Sequence, residues 1–439
     1  MMIAISHVPR AFGRGITIPI PKGESTKGIH RIDSFRGITL SPVISKIFEH
    51  CLLIIFREYF YSADNQFGFK SKVGCTHAIY VLRNVIDYYV SNDSTINLCF
   101  LDMSKAFDKI NHKVLFLKLM KRNVPVELIK LLSYWYSIVN NSVRWGCALS
   151  KPYLMLSGVR QGGVLSPILF AVYVNDMLVK FQHYGCKMFG ISVSALMYAD
   201  DLVLLAPSIT ELQAMVCMLD IELAACDLKL NVSKSASLRV GKNYTSHCTE
   251  LQTIDGSIEW VKEVKYLGIY LLSGRKYVCN FDKTKIKYYR AANSILGKFR
   301  FHDNTATTMH LISSIALPIL TYALEALSLN KSQLASLEHT WSRTYMKVFV
   351  TFDNAIVRQC QYFMGTVSLS HLYTIRKMNS LLQMKNSENT IIRTIFHETA
   401  SVEIETCAKR YNCLADLFSK HYVEIVHDQF RDEVVVSNV

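Results

Sequence analysis

An α+β fold is predicted by three features of the sequence. An apolar run, 195–206, is interrupted by two adjacent acids, Asp200 and Asp201, which reads as two buried strands joined by a hairpin turn. A second run, 97–102, is almost wholly apolar and ends in Asp102, as a strand buried on both faces does. Between and beyond these runs, apolar residues return at helical intervals, and the last part of the chain is largely helical by pattern. With 439 residues, half of them hydrophobic, the chain can form two or three packed domains.

Residues 16–23 read as a strand ending in a Pro/Gly turn; a polar loop follows, then the segment 35–40. Residues 45–60 have helical spacing, with Ile47, Cys51, Ile54 and Ile55 on one face. The segment 66–70 is short, aromatic and basic. A second helix near 76–89 sets Ile79, Leu82, Val85, Ile86 and Tyr89 at helical intervals. After Asp102, residues 105–110 lead into a helix through Leu115 and Leu119. Residues 156–163 form a glycine-rich loop, Ser166 supplies a helix N-cap and Pro167 the first helical position; that helix ends near Leu178. Ser208 and Glu211 form a capping-box signature, opening a helix whose apolar face is Leu212, Met215, Val216, Leu219 and Leu223. Residues 230–234 close that unit, and 264–270 is a further strand. The segment 311–327 contains Pro318, which kinks its helix.

The formal net charge is +14, which points to an anionic partner, nucleic acid before anionic lipid; a basic protein with no specific anion is the remaining reading. The 12 cysteines include no Cys-x-x-Cys pair and no zinc-finger spacing. Cys99 and Cys217 fall inside apolar runs and read as buried hydrophobes in a reducing compartment. No run is long enough for a transmembrane helix and no leader opens the chain. The expectation is an intracellular protein, nuclear or cytoplasmic, with no membrane partner.

Adjacent carboxylates repel each other, and burying them costs more. A divalent cation removes both penalties, since Mg²⁺ is held by one or two carboxylates plus substrate phosphates. An Asp-Asp turn with no ligand satisfies the same local pattern, so the neighbours decide. Four features stand in order: an acid at a strand end (Asp102), a glycine-rich loop opening a helix, the acidic hairpin, and a Tyr-Leu-Gly-Ile strand. Nucleotidyl transfer uses all four. It needs carboxylates from two strands to hold two metal ions about 3.5–4 Å apart, and glycines that let backbone approach a nucleotide.

On these residues the chain resembles the reverse transcriptases of non-LTR (LINE-type) retrotransposons. Phe100-Leu101-Asp102-Met103-Ser104-Lys105-Ala106-Phe107-Asp108 is similar to their first catalytic motif, the stretch from Gly158 to Pro167 to the second, and Tyr198-Ala199-Asp200-Asp201 to the third. Residues 231–234 resemble the fourth motif and Tyr266, Leu267, Gly268 and Ile269 the primer grip, while 35–40, 45–49 and 66–70 resemble motifs of the fingers. The resemblance covers about 16–327. It implies a right-hand polymerase fold with fingers (1–95), a palm with an antiparallel sheet, interleaved fingers elements and the primer grip (96–272), and a helical thumb (273–330). A mainly helical C-terminal region (331–439) has no assigned role.

The resemblance also assigns roles. Asp102 and Asp200 are the principal ligands of two Mg²⁺ ions, Mn²⁺ being the alternative, with Asp201 as third carboxylate and the Met103 carbonyl completing the site. Phe107 lies under the sugar and excludes a 2′ hydroxyl. Gln161 and Gly162 shape the nucleotide and template pocket. Lys22 and Arg36 reach the triphosphate, and Lys234 is a general acid toward pyrophosphate. The implied partners are an RNA template with a DNA primer, as an RNA–DNA hybrid, and deoxynucleoside triphosphates. Taken alone, Phe107 reads as core, Lys22 and Lys234 as solvated surface, Gly162 as part of a turn, and 266–269 as an ordinary buried strand.

Past the primer grip, Lys283, Lys287, Arg290 and Lys298 repeat at helical spacing, with Ile286, Tyr289, Leu296 and Phe299 on another face. Such a helix suits a duplex backbone, and a solvated face reads the same way. Gly37 and Lys70 stand where the family has proline and arginine. No endonuclease domain precedes the fingers, and Cys407, Cys413, His421 and His427 lack the spacing of a terminal knuckle. The expectation is a truncated or degenerate element product that keeps its RNA-directed DNA polymerase centre. Competing readings are a maturase-like or RNA-copying polymerase, which Phe107 opposes, and a non-enzymatic RNA-binding protein.

Overall fold

Strand β1 (Arg14–Pro21) pairs antiparallel with β2 (Phe35–Leu40), setting Thr17 opposite Thr39 and Pro19 opposite Gly37. This computed structural model describes residues 1–22, 32–299 and 304–436. The Pro/Gly turn expected after β1 includes Gly23 and lies outside the described residues. β3 (Ile96–Asp102) belongs to a second sheet, whereas β4 (Asn140–Trp145) returns to the first and runs parallel to β1. β5 (Ala195–Tyr198), β6 (Asp201–Ala206) and β7 (Ala236–Val240) join β3 in a four-stranded antiparallel sheet of order β7-β3-β6-β5.

The second sheet is apolar on both faces because both faces are covered. Leu98, Phe100, Leu196, Val203 and Leu205 enter one core, shared with the Cys75–Ser91 helix and the C-terminal helices. Cys99, Leu101, Met197, Leu202 and Leu204 enter the other, shared with the Ser166–Lys180 and Ile209–Ala225 helices. Each large side chain so buried contributes roughly 1.5–3 kcal/mol. The sheet is therefore a rigid floor, and Asp102 and Asp201 stand at adjoining ends of its two inner strands.

The helix expected over 45–60 is Val43–Ile55, and its faces are reversed. Ile47, Cys51, Ile54 and Ile55 are exposed, whereas Ser45, Glu49 and Leu52 are buried. The cause is Glu49, whose carboxylate accepts the N–H groups of Val164 (2.5 Å) and Leu165 (2.8 Å). These are donors left over at the start of the Ser166–Lys180 helix. Ser166 is thus the first helical residue rather than its cap, and Pro167 is the second.

Ser208 caps the next helix by accepting the Glu211 N–H (3.2 Å), but the Glu211 carboxylate turns instead to the Gly185 N–H (2.7 Å). Only half of the expected box forms. Cys217 on that helix is exposed, a correction, while Cys99 is buried. The single strand expected over 264–270 is a hairpin. β8 (Glu263–Tyr266) and β9 (Ile269–Leu272) are joined by Leu267 and Gly268, at φ +42° and +89°, a two-residue turn that follows strand twist.

A π-helical turn, Ile312–Ala316, absorbs the irregularity just before Pro318. The surrounding Thr305–Ala326 is, among the described residues, one helix long and apolar enough to cross a membrane, where none was expected. Met309, Ile312, Ala316, Leu320 and Leu324 in it are buried in the core. Of the C-terminal helices, which run from Lys331–Val348 to Ala415–Val436, Thr390–Arg410 meets the Cys75–Ser91 helix through a buried charge, Glu403. Arg83 Nη2 lies 2.5 Å from Glu403 Oε1, and Lys377 Nζ lies 2.7 Å from Glu403 Oε2. Burial pushes the Glu403 carboxyl up, but the two cations outweigh it and hold it at about 2.

Candidate active site

Asp102 ends β3 and Asp201 begins β6, and the antiparallel register sets them directly opposite each other. Directly opposed residues have Cβ atoms about 4.5–5.5 Å apart, so like charges there repel. Tyr198 pairs with Asp201, which leaves Ala199 and Asp200 as the turn. Burial and the Asp102 charge raise the Asp200 carboxyl above its ordinary range, against the pull of Arg36 and Lys234. Burial, Asp200 and Asp102 raise the Asp201 carboxyl to about 6, against Lys265 and Lys234. Among the described residues, no three carboxylate, imidazole or thiolate side chains stand close enough together to hold a metal ion, and this includes Asp102, Asp200 and Asp201.

The segment after the Ile209–Ala225 helix braces Asp102. The Asn231 side chain donates to Asp102 Oδ2 (3.0 Å), Lys234 Nζ lies 3.5 Å from the same oxygen, and the Asp102 N–H donates to Ser235 Oγ (3.2 Å). Backbone bonds from Asn231 N–H to Asp102 O (2.8 Å) and from Ser104 N–H to Lys229 O (2.9 Å) bracket Met103. They leave the Met103 carbonyl outside that ladder.

One cleft of about 810 Å³ gathers Lys22, Arg36, Asp102, Met103, Phe107, Gln161, Gly162, Asp200 and Lys234. Phe107 is half-buried in its wall, stacked on Phe170 (4.7 Å, 17°) and edge-on to Phe69 (6.0 Å, 80°). Gln161 donates from its side chain to Asp108 Oδ1 (2.9 Å), and its carbonyl accepts the Thr39 N–H (2.7 Å). Gly162 adopts φ +117°, and a Cβ there would come within 2.7 Å of the Thr39 carbonyl oxygen. The glycine thus lets the loop press on β2, beside Arg36.

A second cleft of about 390 Å³ adjoins the first, sharing Asp102 and Lys234, and is lined by Asp201, Tyr266, Leu267 and Gly268. Of the expected primer-grip residues, Tyr266 and Ile269 are buried, which leaves the Leu267–Gly268 turn as the accessible part. The Tyr322 hydroxyl donates to the Leu267 carbonyl (2.9 Å) and steadies that turn.

On the Asp282–Lys298 helix, Lys283, Lys287, Arg290 and Lys298 are exposed. Lys283 is engaged, its Nζ 2.6 Å from Glu263 Oε2 and 4.6 Å above the Tyr270 ring. The buried face is Tyr288, Ala292 and Leu296, whereas Ile286 is exposed, a correction to the expected packing face. Lys70 also turns inward, its Nζ donating to the Ala63 carbonyl (2.7 Å).

Sequence reasoning gave Asn231 and Gln66 places in motifs but no task. Asn231 touches the Asp102 carboxylate, and Gln66 touches the turn that carries Asp200. A helical or strand period carries no signal for either contact.

A native pKa raised above the unfolded value means that ionising Asp201 removes stability as pH climbs from about 4 to about 6. Asp201→Asn is expected to raise the melting temperature of the metal-free protein by about 1–3 °C at pH 7.5 and by less at pH 5. Scanning fluorimetry across pH reads this; an equal gain at both pH values would mean that the charge is not the cause.

Residues 20–271 match the family "Reverse transcriptase (RNA-dependent DNA polymerase)". The chain is 25% identical over 289 residues to the Pol polyprotein of the type-2 retrotransposable element R2DM of Drosophila melanogaster, covering 64% of this chain and 27% of that protein. It is 27% identical over 313 residues to the RNA-directed DNA polymerase of the mobile element jockey of Drosophila funebris, covering 67% of this chain and 33% of that protein. The chain thus spans about a quarter to a third of the length of these relatives. Among solved structures it is similar to apo telomerase from Candida tropicalis (TM-score 0.44, 12% identity, 97% of this chain and 69% of that one). By the match over most of its first 271 residues, the chain belongs to the reverse transcriptase family, with relatives among LINE-type, non-LTR retrotransposons.

Proposed function

We propose that the protein is an RNA-directed DNA polymerase that extends a primer 3′ hydroxyl with deoxynucleotides on an RNA template. The observation that carries this is the strand register. It brings Asp102 against Asp201, where two clefts meet: Asp102 and Asp200 line the one whose walls hold Phe107, Gln161 and two fingers cations, and Asp201 lines its neighbour. A divalent ion would relieve the repulsion among these carboxylates, two of which are raised, with waters and substrate phosphates supplying the rest of its shell. Asp102, Asp200, Asp201 and the Met103 carbonyl would hold two Mg²⁺, or Mn²⁺, which would activate the hydroxyl and neutralise the leaving pyrophosphate.

The chain's own residues do the positioning. Lys22 and Arg36 draw the triphosphate against the loop at Gly162 through charge-assisted bonds. Asn231 fixes the Asp102 carboxylate, and Lys234, close to it, supplies a proton toward pyrophosphate. Phe107 closes the space under the sugar. The Leu267–Gly268 turn steadies the primer end, and Lys283, Lys287, Arg290 and Lys298 follow the phosphates of the hybrid by shape and charge. In this reading 1–95 is the fingers, 96–272 the palm and 273–330 the thumb, working in a nuclear or cytoplasmic pool of RNA and nucleotides.

Primer extension by the purified protein on a primed RNA template tests the proposal, with each nucleotide type and with and without Mg²⁺. Template-dependent deoxynucleotide addition that requires Mg²⁺ is expected. Hybrid binding with no extension would favour an RNA-binding protein, and ribonucleotide products an RNA-copying polymerase.

A further inference from the structure

We infer that Gln66 is a positioning residue that holds the acidic turn in its working shape. The inference rests on the polymerase reading for its purpose, although its geometry stands apart from it. Ala199, immediately before Asp200, adopts φ +58°, a left-handed conformation that residues with a Cβ take only when held. Gln66 is fully buried, and its carboxamide grips Ala199 from both sides. Oε1 accepts the N–H groups of Ala199 (3.2 Å) and Gly68 (2.9 Å), while Nε2 donates to the Ala199 carbonyl (3.3 Å). These partners fix the amide orientation, since the opposite one would set donor against donor twice.

The backbone on either side completes the clamp. The Met197 N–H donates to Asn65 O (2.8 Å) and the Phe67 N–H to Met197 O (2.7 Å), so 65–67 forms a parallel edge to β5. A Cβ on Gly68 would lie 2.4 Å from the Ala199 nitrogen, so only a glycine lets the two backbones meet. Mutual repulsion among Asp102, Asp200 and Asp201 pushes the turn open, and the buried clamp opposes it. A turn that moves spoils the alignment of the metal-binding carboxylates without removing any of them.

Gln66→Met keeps the volume and removes all three bonds. Gly68→Ala pushes on Ala199 from the same side. Asn65→Ala is the control, since the Asn65 side chain donates to Ala195 O (2.7 Å), at the far end of β5. Mn²⁺ affinity is measured by electron paramagnetic resonance and the half-saturating Mg²⁺ concentration in primer extension, both per folded molecule. Gln66→Met and Gly68→Ala are expected to weaken both by about 3–10-fold and to lower kcat by about 10–100-fold, with KM for deoxynucleotide changed less than about threefold. Asn65→Ala should lower the melting temperature yet leave metal affinity within twofold of wild type. Wild-type metal affinity in both turn variants would overturn the inference, as would equal weakening in Asn65→Ala. If the wild type binds Mn²⁺ and the variants follow the expected order but no primer is extended, the clamp stands and the polymerase reading falls.

Discussion

Asp200→Asn is expected to lower primer extension by roughly 10³-fold or more, since several kcal/mol of metal-borne charge stabilisation would be lost at the reacting centre. The substitution keeps the size of the side chain and the turn that carries it. It removes the turn's carboxylate beside the Asp102–Asp201 pair, whose members face each other across β3 and β6. Affinity for an RNA–DNA hybrid should change less than about threefold, because the cations proposed to follow its phosphates lie on another helix and the cleft becomes less negative. The Asp201 carboxyl, raised to about 6 partly by Asp200, should fall toward its ordinary range in the variant. Single-turnover extension and fluorescence anisotropy with a labelled hybrid separate chemistry from binding. Extension at the wild-type rate would place the reaction at another site.

Phe107→Ala is expected to shift sugar choice. The ring stacks on Phe170 and meets Phe69 edge-on, contacts that hold it in place. It also borders the cleft that holds Asp102 and Asp200. Removing it should raise the ratio of kcat/KM for ribonucleotide over deoxynucleotide by about 10–100-fold, the range in which an apolar pocket senses one hydroxyl. Stability should fall by about 1–3 kcal/mol, less than for a fully buried aromatic. Single-nucleotide insertion of each type decides between the two roles. If stability drops and the ratio stays, the ring only packs, and the preference for DNA synthesis must come from another residue.

Features carried by local pattern were legible in the sequence. Strand β3 announced itself by an apolar run ending in an acid, and the β5–β6 hairpin by an acidic break. The proximity of Asp102 to Asp200 and Asp201 follows once two such strands share a sheet. What stayed hidden depends on partners far along the chain. Glu49 reverses the faces of its helix because it caps backbone donors at 164 and 165. Gln66 reaches a turn at 199. Periodicity assumes that apolar faces turn inward, and one buried carboxylate with a good reason overrides it. The Leu267–Gly268 turn was missed for another cause. An apolar stretch containing one glycine reads as a strand as readily as a hairpin.

The helix Cys75–Ser91 has two customers. One flank supports the back of β3, and the other meets the C-terminal helices, where Tyr80 bonds Thr399 and Arg83 bonds Glu403. A frameshift that erased residues after 331 would leave every motif of the polymerase centre spelled correctly. It would also strip one side of that helix and take Glu403 from a buried guanidinium, leaving it the more distant Asp87 (3.9 Å) as counter-ion. For sequences of this kind, an intact set of catalytic letters does not certify a working copy. Reading decay in such genes therefore has to include the helices that carry no chemistry at all.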